Sequence, residues 1–500
     1  MKKWLTIALA GSLLFAGCAS YQKVVVSTQE IQDARTVYDT TANVVLHLKG
    51  SRFVETKMNL VKVDGDTVIV VSGNLYTLLN PEGQKIDSTV YPKNDVLFME
   101  VRSTKLPPSV GLAYALTTVM VVTDLSITAA CIMDPKACWG SCPTFYNSDG
   151  YLVAEGFSFS LFKTFETWDL DRIDARAEDG TVTLTMRNEA LETHLVHDVV
   201  LVAVPKGDGE VFFDRNSGKF IRADRLQPPI ACENCSLELV SQADDDVYVS
   251  PADSIDLARR DTITLIFPNP GGERIAIDIR ARNSLLGTHI LYGLIGLTGP
   301  KYWTFVHMMD EPLLSKPFVI NGFSKWEKFW HLRVLVNGTV AGKIRYEGPI
   351  AFEHFTLTLD NPGTDSIVVQ LEEVKGDWEF DNVVAGRVVD MDVPYREIAA
   401  QLPRNAGDYF RTYPGDSLIL TFDVGDGDYQ FFLKTRGYYY EWQRTAWAEH
   451  PDPKLASYLF FHPDSAYRYF AKSYKAGEVE ARNVFIKSRV HSRLFALNRR

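Results

Sequence analysis

Leu60-Val61-Lys62-Val63-Asp64-Gly65-Asp66-Thr67-Val68-Ile69-Val70-Val71 decides the fold class. Valines alternate with Lys62 at period two, Asp64-Gly65 supplies the residues of a tight turn, and a β-branched run returns from Thr67 to Val71. The same grammar extends outward. Val44 to Leu48 and Val96 to Arg102 read as further short strands. From Cys138 to about residue 440 strand-like runs such as Val182 to Met186, Thr262 to Phe267, Arg274 to Arg280 and Ile367 to Leu371 recur. Turn clusters such as Asn269-Pro270-Gly271-Gly272 separate them. The chain is therefore expected to be mainly β.

The domain expectations follow from where this grammar starts, breaks and stops. Residues 1–17 read as a signal peptide and 18–42 as a polar tether with one strand-like piece, Val24-Val25-Val26. Residues 43–105 hold about five short strands, and closure into a small SH3-like barrel removes the edges such strands expose. Lys105-Leu106-Pro107-Pro108 breaks the chain, and residues 109–133 form an apolar helix. A β-sandwich over 134–315, interrupted by a buried helix at Ala281 to Leu297, precedes a second sandwich over 316–445. The predicted boundary lies near residue 315, around Trp303 and Pro312 to Pro317. Residues 446–500 lose strand character and read as a helical basic tail.

Composition narrows the class. Of 500 residues, 46% are hydrophobic, 12% aromatic and 23% charged, which is globular and excludes disorder and collagen-like repeats. Lys+Arg 52 against Asp+Glu 63 gives a formal charge of −11, unfavourable for phosphate backbones, so no nucleic-acid partner is expected. The charge is uneven. From residue 446 onward ten Lys and Arg face five Asp and Glu, net +5, while residues 18–445 carry −18. An aromatic basic tail either lies on anionic headgroups or folds back on its own acidic body, and the second reading is favoured.

The first eighteen residues carry an address. Lys2-Lys3 is followed by the apolar stretch Trp4 to Phe15 and by Phe15-Ala16-Gly17-Cys18. Twelve residues rise about 18 Å, short of the roughly 30 Å hydrocarbon core, so a permanent span is disfavoured. The segment resembles a bacterial lipoprotein signal, which implies acylation of Cys18 and anchoring through two acyl chains. Ala19-Ser20, lacking an acidic pair, points to the periplasmic face of an outer membrane. In Val110 to Met133, 17 of 24 residues are apolar, but Asp124 near the centre costs about 3 kcal/mol on insertion, which favours a buried or membrane-grazing helix.

Candidate chemistry is sparse. In an oxidising envelope Cys138 and Cys142, and Cys232 and Cys235, read as disulfide cysteines, with Cys131 a buried thiol; spacing leaves the connectivity open. Cys232-Glu233-Asn234-Cys235 also has redox precedent, but it follows Gln227-Pro228-Pro229 with no helix N-terminus to lower a thiol pKa, so a structural turn is favoured. His194 and His197 lie three apart on a strand and diverge, which disfavours zinc. The acidic turns Asp244-Asp245-Asp246, Asp423 to Asp428 and Asp214 to Gly218 lack EF-hand spacing and read as solvated loops. No metal or cofactor is expected. Trp303, Trp326 and Trp330 form a candidate aromatic surface for a glycan, with core packing the plainer account. No G-x-S-x-G, H-E-x-x-H or phosphate-binding glycine loop occurs.

Cys142-Pro143-Thr144-Phe145-Tyr146, Asp149-Gly150-Tyr151, Glu155-Gly156, Gly437-Tyr438-Tyr439 and Ser473-Tyr474-Lys475 carry a resemblance. In these residues the chain resembles a group of uncharacterised bacterial envelope lipoproteins, in which an apolar helix precedes a Cys-Pro-x-x-Tyr element, β-rich domains and a Gly-Tyr-Tyr segment before a helical tail. It covers most of residues 109–500 and implies no catalytic residue. The expectation is a lipid-anchored, non-enzymatic envelope protein whose partner is another envelope protein or a glycan. The alternatives are a thiol-disulfide enzyme or chaperone using Cys232 and Cys235, and a glycan-binding module.

Overall fold

The computed structural model describes residues 22–26, 40–48, 52–77, 80–103, 142–189, 192–298, 309, 322–345, 347–404, 407–412, 416–441 and 451–487. The signal segment with Cys18, the apolar stretch 109–133, Cys131, Cys138 and Trp303 lie outside them. The protein is mainly β with a short helical layer, and it divides into two units. No helix among the described residues is long and apolar enough to cross a membrane.

The first unit comprises Met1–Ser126, Pro300–Glu311 and Gln443–His450. Its strands are β1 (Gln22–Val26), β2 (Asn43–Leu48), β3 (Arg52–Lys57), β4 (Val61–Asp64), β5 (Thr67–Thr77), β6 (Asn80–Pro92) and β7 (Val96–Ser103). They form one antiparallel sheet in the order β1-β7-β2-β3-β5-β4, with β6 also on β5. The β4–β5 hairpin holds the expected register, Val61 opposite Val70 and Val63 opposite Val68. Gly65 takes φ +53° at the first turn position, a conformation that favours glycine. Val61, Val68 and Val70 enter a core with Val44, Leu46, Val54 and Met99. One expectation changes. The six strands of 43–103 share a seven-stranded sheet with β1, which the tether contributes and which pairs with β7 from Gln22–Ser103 to Val26–Met99.

The second unit comprises Ile127–Gly299, Pro312–Trp442 and Pro451–Arg500. It opens with β8 (Thr144–Tyr146), β9 (Leu152–Glu155), β10 (Thr167–Ile173), β11 (Thr181–Arg187) and β12 (Glu192–Pro205). The chain then runs through β13 (Glu210–Asp214), β14 (Lys219–Gln227), β15 (Ala231–Glu233), β16 (Arg260–Pro268) and β17 (Arg274–Asn283) into helix α1 (Leu285–Thr298). A second helix, α2, covers residues 322–330. After it come β18 (His331–Val336), β19 (Thr339–Arg345), β20 (Glu353–Asp360), β21 (Ser366–Val374) and β22 (Trp378–Asp390). β23 (Arg396–Ala399), β24 (Phe410–Thr412), β25 (Ser417–Asp423), β26 (Tyr429–Glu441), α3 (Pro453–Phe461) and α4 (Pro463–Lys487) complete it.

These strands make two β-bodies, one nested inside the other. The outer body has the sheets β10-β26-β12-β23, with β24 on β12, and β25-β11-β8-β9. The inner body pairs a closed barrel, β13-β14-β22-β17-β20, with the sheet β15-β16-β21-β18-β19. Ile263, Leu265 and Phe267 of that sheet share one core with Ile275, Ile277, Phe355 and Trp378 of the barrel. The predicted boundary near 315 is therefore wrong. β16 pairs with β21 from Arg260–Val374 to Pro268–Ser366, and β17 pairs with β20 and β22, all across that point. The chain leaves the outer body after Pro205 and re-enters at β23, which pairs with β12 at Val200–Ala399. Val202, Val204 and Phe432 of the outer body meet Val211 and Phe220 of the inner one in an apolar joint.

The helices cover one end. Leu286, Ile290 and Leu294 of α1, Trp326 and Phe329 of α2, and Leu459, Tyr467, Phe470 and Tyr474 of α3 and α4 share a core. Asp452 caps α3 by accepting from the Leu455 amide, with Pro453 at the first helical position. Gly293 admits the Phe470 ring, since a Cβ there would stand 2.4 Å from it. The described part of the tail thus packs on its own protein, reinforced by Arg468 to Asp256 at 2.9 Å and Lys328 to Asp464 at 3.1 Å.

Nesting makes a prediction. A fragment of residues 206–395 carries every strand of the inner body and is expected to fold alone, with dispersed amide resonances and cooperative melting. Halves cut at residue 315 are expected to remain unfolded; a folded 316–445 fragment would contradict the nested topology.

Candidate functional site

Cys142, Thr144, Tyr146 and Glu155, four of the residues singled out in the sequence, meet in one buried polar centre. Cys142, at φ 86° and 2% exposed, donates its amide to Glu192 Oε2 at 3.0 Å and its thiol to Glu155 Oε1 at 3.1 Å. Glu155 Oε2 accepts the amides of Ile350 (2.8 Å) and Ala351 (3.1 Å) of the inner body. Gly348, at φ +139°, lets that carboxylate in, because a Cβ would stand 2.8 Å from it. Thr144 and Tyr146 both donate to Glu189 Oε2, the first at 2.9 Å. Gly156 and Gly437 sit where Cβ atoms would meet Phe145 and the Leu195 carbonyl, and the Tyr439 hydroxyl donates to the Ser158 carbonyl at 2.9 Å.

Burial and the neighbouring carboxylates disfavour a nucleophilic thiolate at this centre. Burial pushes the Cys142 thiol well up, with Glu155 adding to the rise, so the reactive thiolate is disfavoured. His194, 3.1 Å from Glu192 Oε2, is pushed down to about 3 by burial and is neutral. Burial raises the Glu155 carboxyl to about 7.

A second cluster adjoins the first where β10 of the outer body packs beside β20 of the inner one. Asp169 and Asp171 alternate along β10 and share its buried face with Ile173. Ligand atoms of Asp169, Glu347 and Glu353 lie within 4.8 Å of one another. Arg215 donates to Glu347 Oε1 at 2.9 Å and to Glu353 Oε2 at 3.4 Å, and Arg345 donates to Glu347 Oε1 at 2.9 Å. Asp169 Oδ2, Glu347 Oε2 and both oxygens of Asp171 are buried without a hydrogen-bond partner. Burial is the largest influence on each acid shifted here: Asp169 rises to about 7, and Asp171 and Glu353 rise well above the carboxylate range. Neighbouring carboxylates hold both arginines up against burial.

The expected site residues fall elsewhere. Cys142 is a free thiol, not a disulfide partner, because its sulfur is engaged by Glu155. Cys232 and Cys235 are disulfide-bonded, with Cα atoms 5.8 Å apart. Cys232 lies on β15 opposite Leu265 of β16, in a strand and not at a helix N-terminus, and both cysteines pack on the inner core. Trp326 is 1% exposed, stacks on Trp330 and donates Nε1 to the Phe460 carbonyl at 2.7 Å. That pair fills the helical joint, so Trp326 offers no ring face to a sugar. Trp168, outside the expected aromatic surface, is 39% exposed; Lys434 lies 4.5 Å and Arg436 5.0 Å from its ring. His194 and His197 diverge across a β-bulge, the first toward Glu192 and the second toward Asp198 and Arg436.

The carboxylate cluster was missed because alternation misleads in β10. In Thr167-Trp168-Asp169-Leu170-Asp171-Arg172-Ile173 the apolar Trp168 and Leu170 suggest one inward face, yet the opposite face is buried. The Asp-x-Asp-x-Ile spacing was the available signal.

No family model and no curated protein matches the chain. Several solved structures show weak likeness. A β-porphyranase of glycoside hydrolase family 86 from Bacteroides plebeius aligns at 8% identity over 44% of this chain and 39% of its own, with TM-score 0.17. A family 86 enzyme solved with neoagarooctaose aligns at 8% identity over 44% and 34%, TM-score 0.16. The α-xylosidase of Xanthomonas citri aligns at 9% identity over 80% and 38%, TM-score 0.14. The chain thus spans well under half of each enzyme's length, and overlaps this low carry no argument about fold or activity.

Proton counting fixes the pH dependence. A buried acid raised to about 7 holds in the folded chain a proton that the unfolded chain releases near pH 4, so stability falls as pH rises through that window. Asp377, raised by burial to about 8, acts in the same sense. His194 and His289, lowered by burial to about 3 and about 4, act oppositely, but only below about pH 6.5. Metal-free protein is therefore expected to melt higher at about pH 6.5 than at about pH 8, with Asp169→Asn flattening the difference. Calorimetry showing a melting temperature that rises with pH over this interval would contradict the assignment.

Proposed function

We propose that the chain is a lipid-anchored, non-catalytic protein of the bacterial cell envelope, held at the periplasmic face of the outer membrane and serving a structural or interaction role. The observation that carries this reading is the N-terminal sequence, with Lys2-Lys3, twelve apolar residues and Cys18. The Cys232–Cys235 disulfide supports an oxidising compartment. The non-catalytic part is supported by the state of the reactive side chains described above. The Cys142 thiol is buried and raised, His194 is neutral, and Tyr467, Phe470 and Tyr474 of the tail pack into the protein's own helical core.

The alternatives meet specific physical objections. A redox pair needs a thiolate-stabilising position, and Cys232 lies within a strand packed on the inner core. A glycan platform needs exposed ring faces, and Trp326 is enclosed by Trp330, Phe460 and Tyr467. Residues 18–445 carry a formal charge of −18, so complementary basic surface is the expected chemistry of an envelope partner.

Two measurements test the reading in cells. Mass spectrometry of the mature N-terminus is expected to find a diacylglyceryl and an amide-linked acyl chain on Cys18, and Cys18→Ser to shift the protein from the membrane to the soluble fraction. An unmodified N-terminus would overturn anchoring. Trapping of thiols in whole cells is expected to find Cys232 and Cys235 fully oxidised, whereas a substantial mixed-disulfide fraction would favour redox work.

A further inference from the structure

We propose that Asp169, Glu347 and Glu353, with Asp171 beside them on β10, form a binding site for one hard divalent cation, calcium foremost, at the joint between the outer and inner β-bodies. The site is independent of the anchoring reading and uses none of the residues that support it.

Charge sets the requirement. Fully ionised, the four carboxylates would outnumber the two guanidiniums, Arg215 and Arg345, by two charges in a buried seam. An uncompensated buried charge is strongly destabilising, and a single divalent ion balances this deficit. Glu155, nearby, is satisfied separately by two amides and the Cys142 thiol.

Geometry sets the identity. The arginines engage Glu347 Oε1 and Glu353 Oε2, which leaves Glu347 Oε2 and Asp169 Oδ2 without partners on a cluster whose ligand atoms lie within 4.8 Å. Asp171 is a further and separate pointer. It is 2% exposed, both its oxygens lack partners, it shares the β10 face of Asp169, and its charge is the strongest neighbouring influence on Glu353. A buried set of protein carboxylates suits Ca²⁺, which takes many protein oxygens, better than Mg²⁺, which usually keeps several of its waters. An all-carboxylate set also selects against zinc and copper, which prefer nitrogen and sulfur. Because Asp169 comes from β10 and Glu347 and Glu353 from the inner body, the ion would clamp the nested body to its host. Binding would displace protons held by these acids.

The test uses the full mature chain, stripped with EDTA and titrated with CaCl2 by calorimetry in two buffers of different ionisation enthalpy, with bound calcium counted by mass spectrometry. One Ca²⁺ per chain, proton release and a raised melting temperature are expected, with Mg²⁺ weaker. Asp171→Asn and Glu353→Gln are expected to weaken binding by at least about tenfold without lowering the melting temperature of the metal-free protein. Asp426→Asn, in a surface turn, is expected to bind as the natural chain does. No calcium on the natural chain, undiminished binding in the seam variants, or loss of binding in Asp426→Asn would each overturn the site.

Discussion

The second unit depends on a row of buried acids where its two β-bodies meet. Asp169 and Asp171 present carboxylates from β10 to Glu347 and Glu353 of the inner body, with Arg215 and Arg345 between them. Carboxylates outnumber guanidiniums, and burial makes each unpaired charge costly, so the seam has to hold protons or a cation. Glu155 ties the outer body to inner-body backbone by accepting two amides, and the apolar joint of Val202, Phe432 and Phe220 supplies hydrophobic adhesion nearby. Polar groups thus specify where the inner body docks, while apolar groups drive the docking.

Strand grammar was legible wherever the solvent-facing and core-facing residues differ in kind. The 60–71 hairpin shows this: Val61, Val68 and Val70 are buried, Lys62 is exposed, and Gly65 turns the chain. Nesting was not legible, because no local signal distinguishes a strand that pairs with its neighbour from one, like β16, that pairs a hundred residues away. The closed barrel went unplaced for the same reason, since β17 lies between β20 and β22. The stretch around Pro312 looked like a domain boundary, yet β16 and β21, on either side of it in the sequence, pair in one core.

The site was half legible. The Cys-Pro-x-x-Tyr and Glu-Gly elements stood out in the sequence, and the structure gives their physical basis: Cys142, Thr144 and Tyr146 satisfy Glu155, Glu192 and Glu189, and Gly156 admits Phe145. A cysteine beside another cysteine reads as a disulfide until a carboxylate from thirteen residues downstream engages its sulfur. Tryptophans near Trp326 read as a surface because sequence does not reveal that Phe460 and Tyr467 of the tail enclose them. Acids on a strand read as its solvent face, and in β10 that inference is inverted.

The protonation state of the seam tests the central claim most directly. Infrared difference spectroscopy of the metal-free chain at about pH 6.5, compared with Asp171→Asn, reads the carbonyl stretch of protonated carboxyl groups in buried surroundings. A carboxylic-acid band that the substitution removes, and that Ca²⁺ also removes, is the result this account predicts. A natural chain whose seam shows only ionised carboxylates in the absence of metal would contradict it.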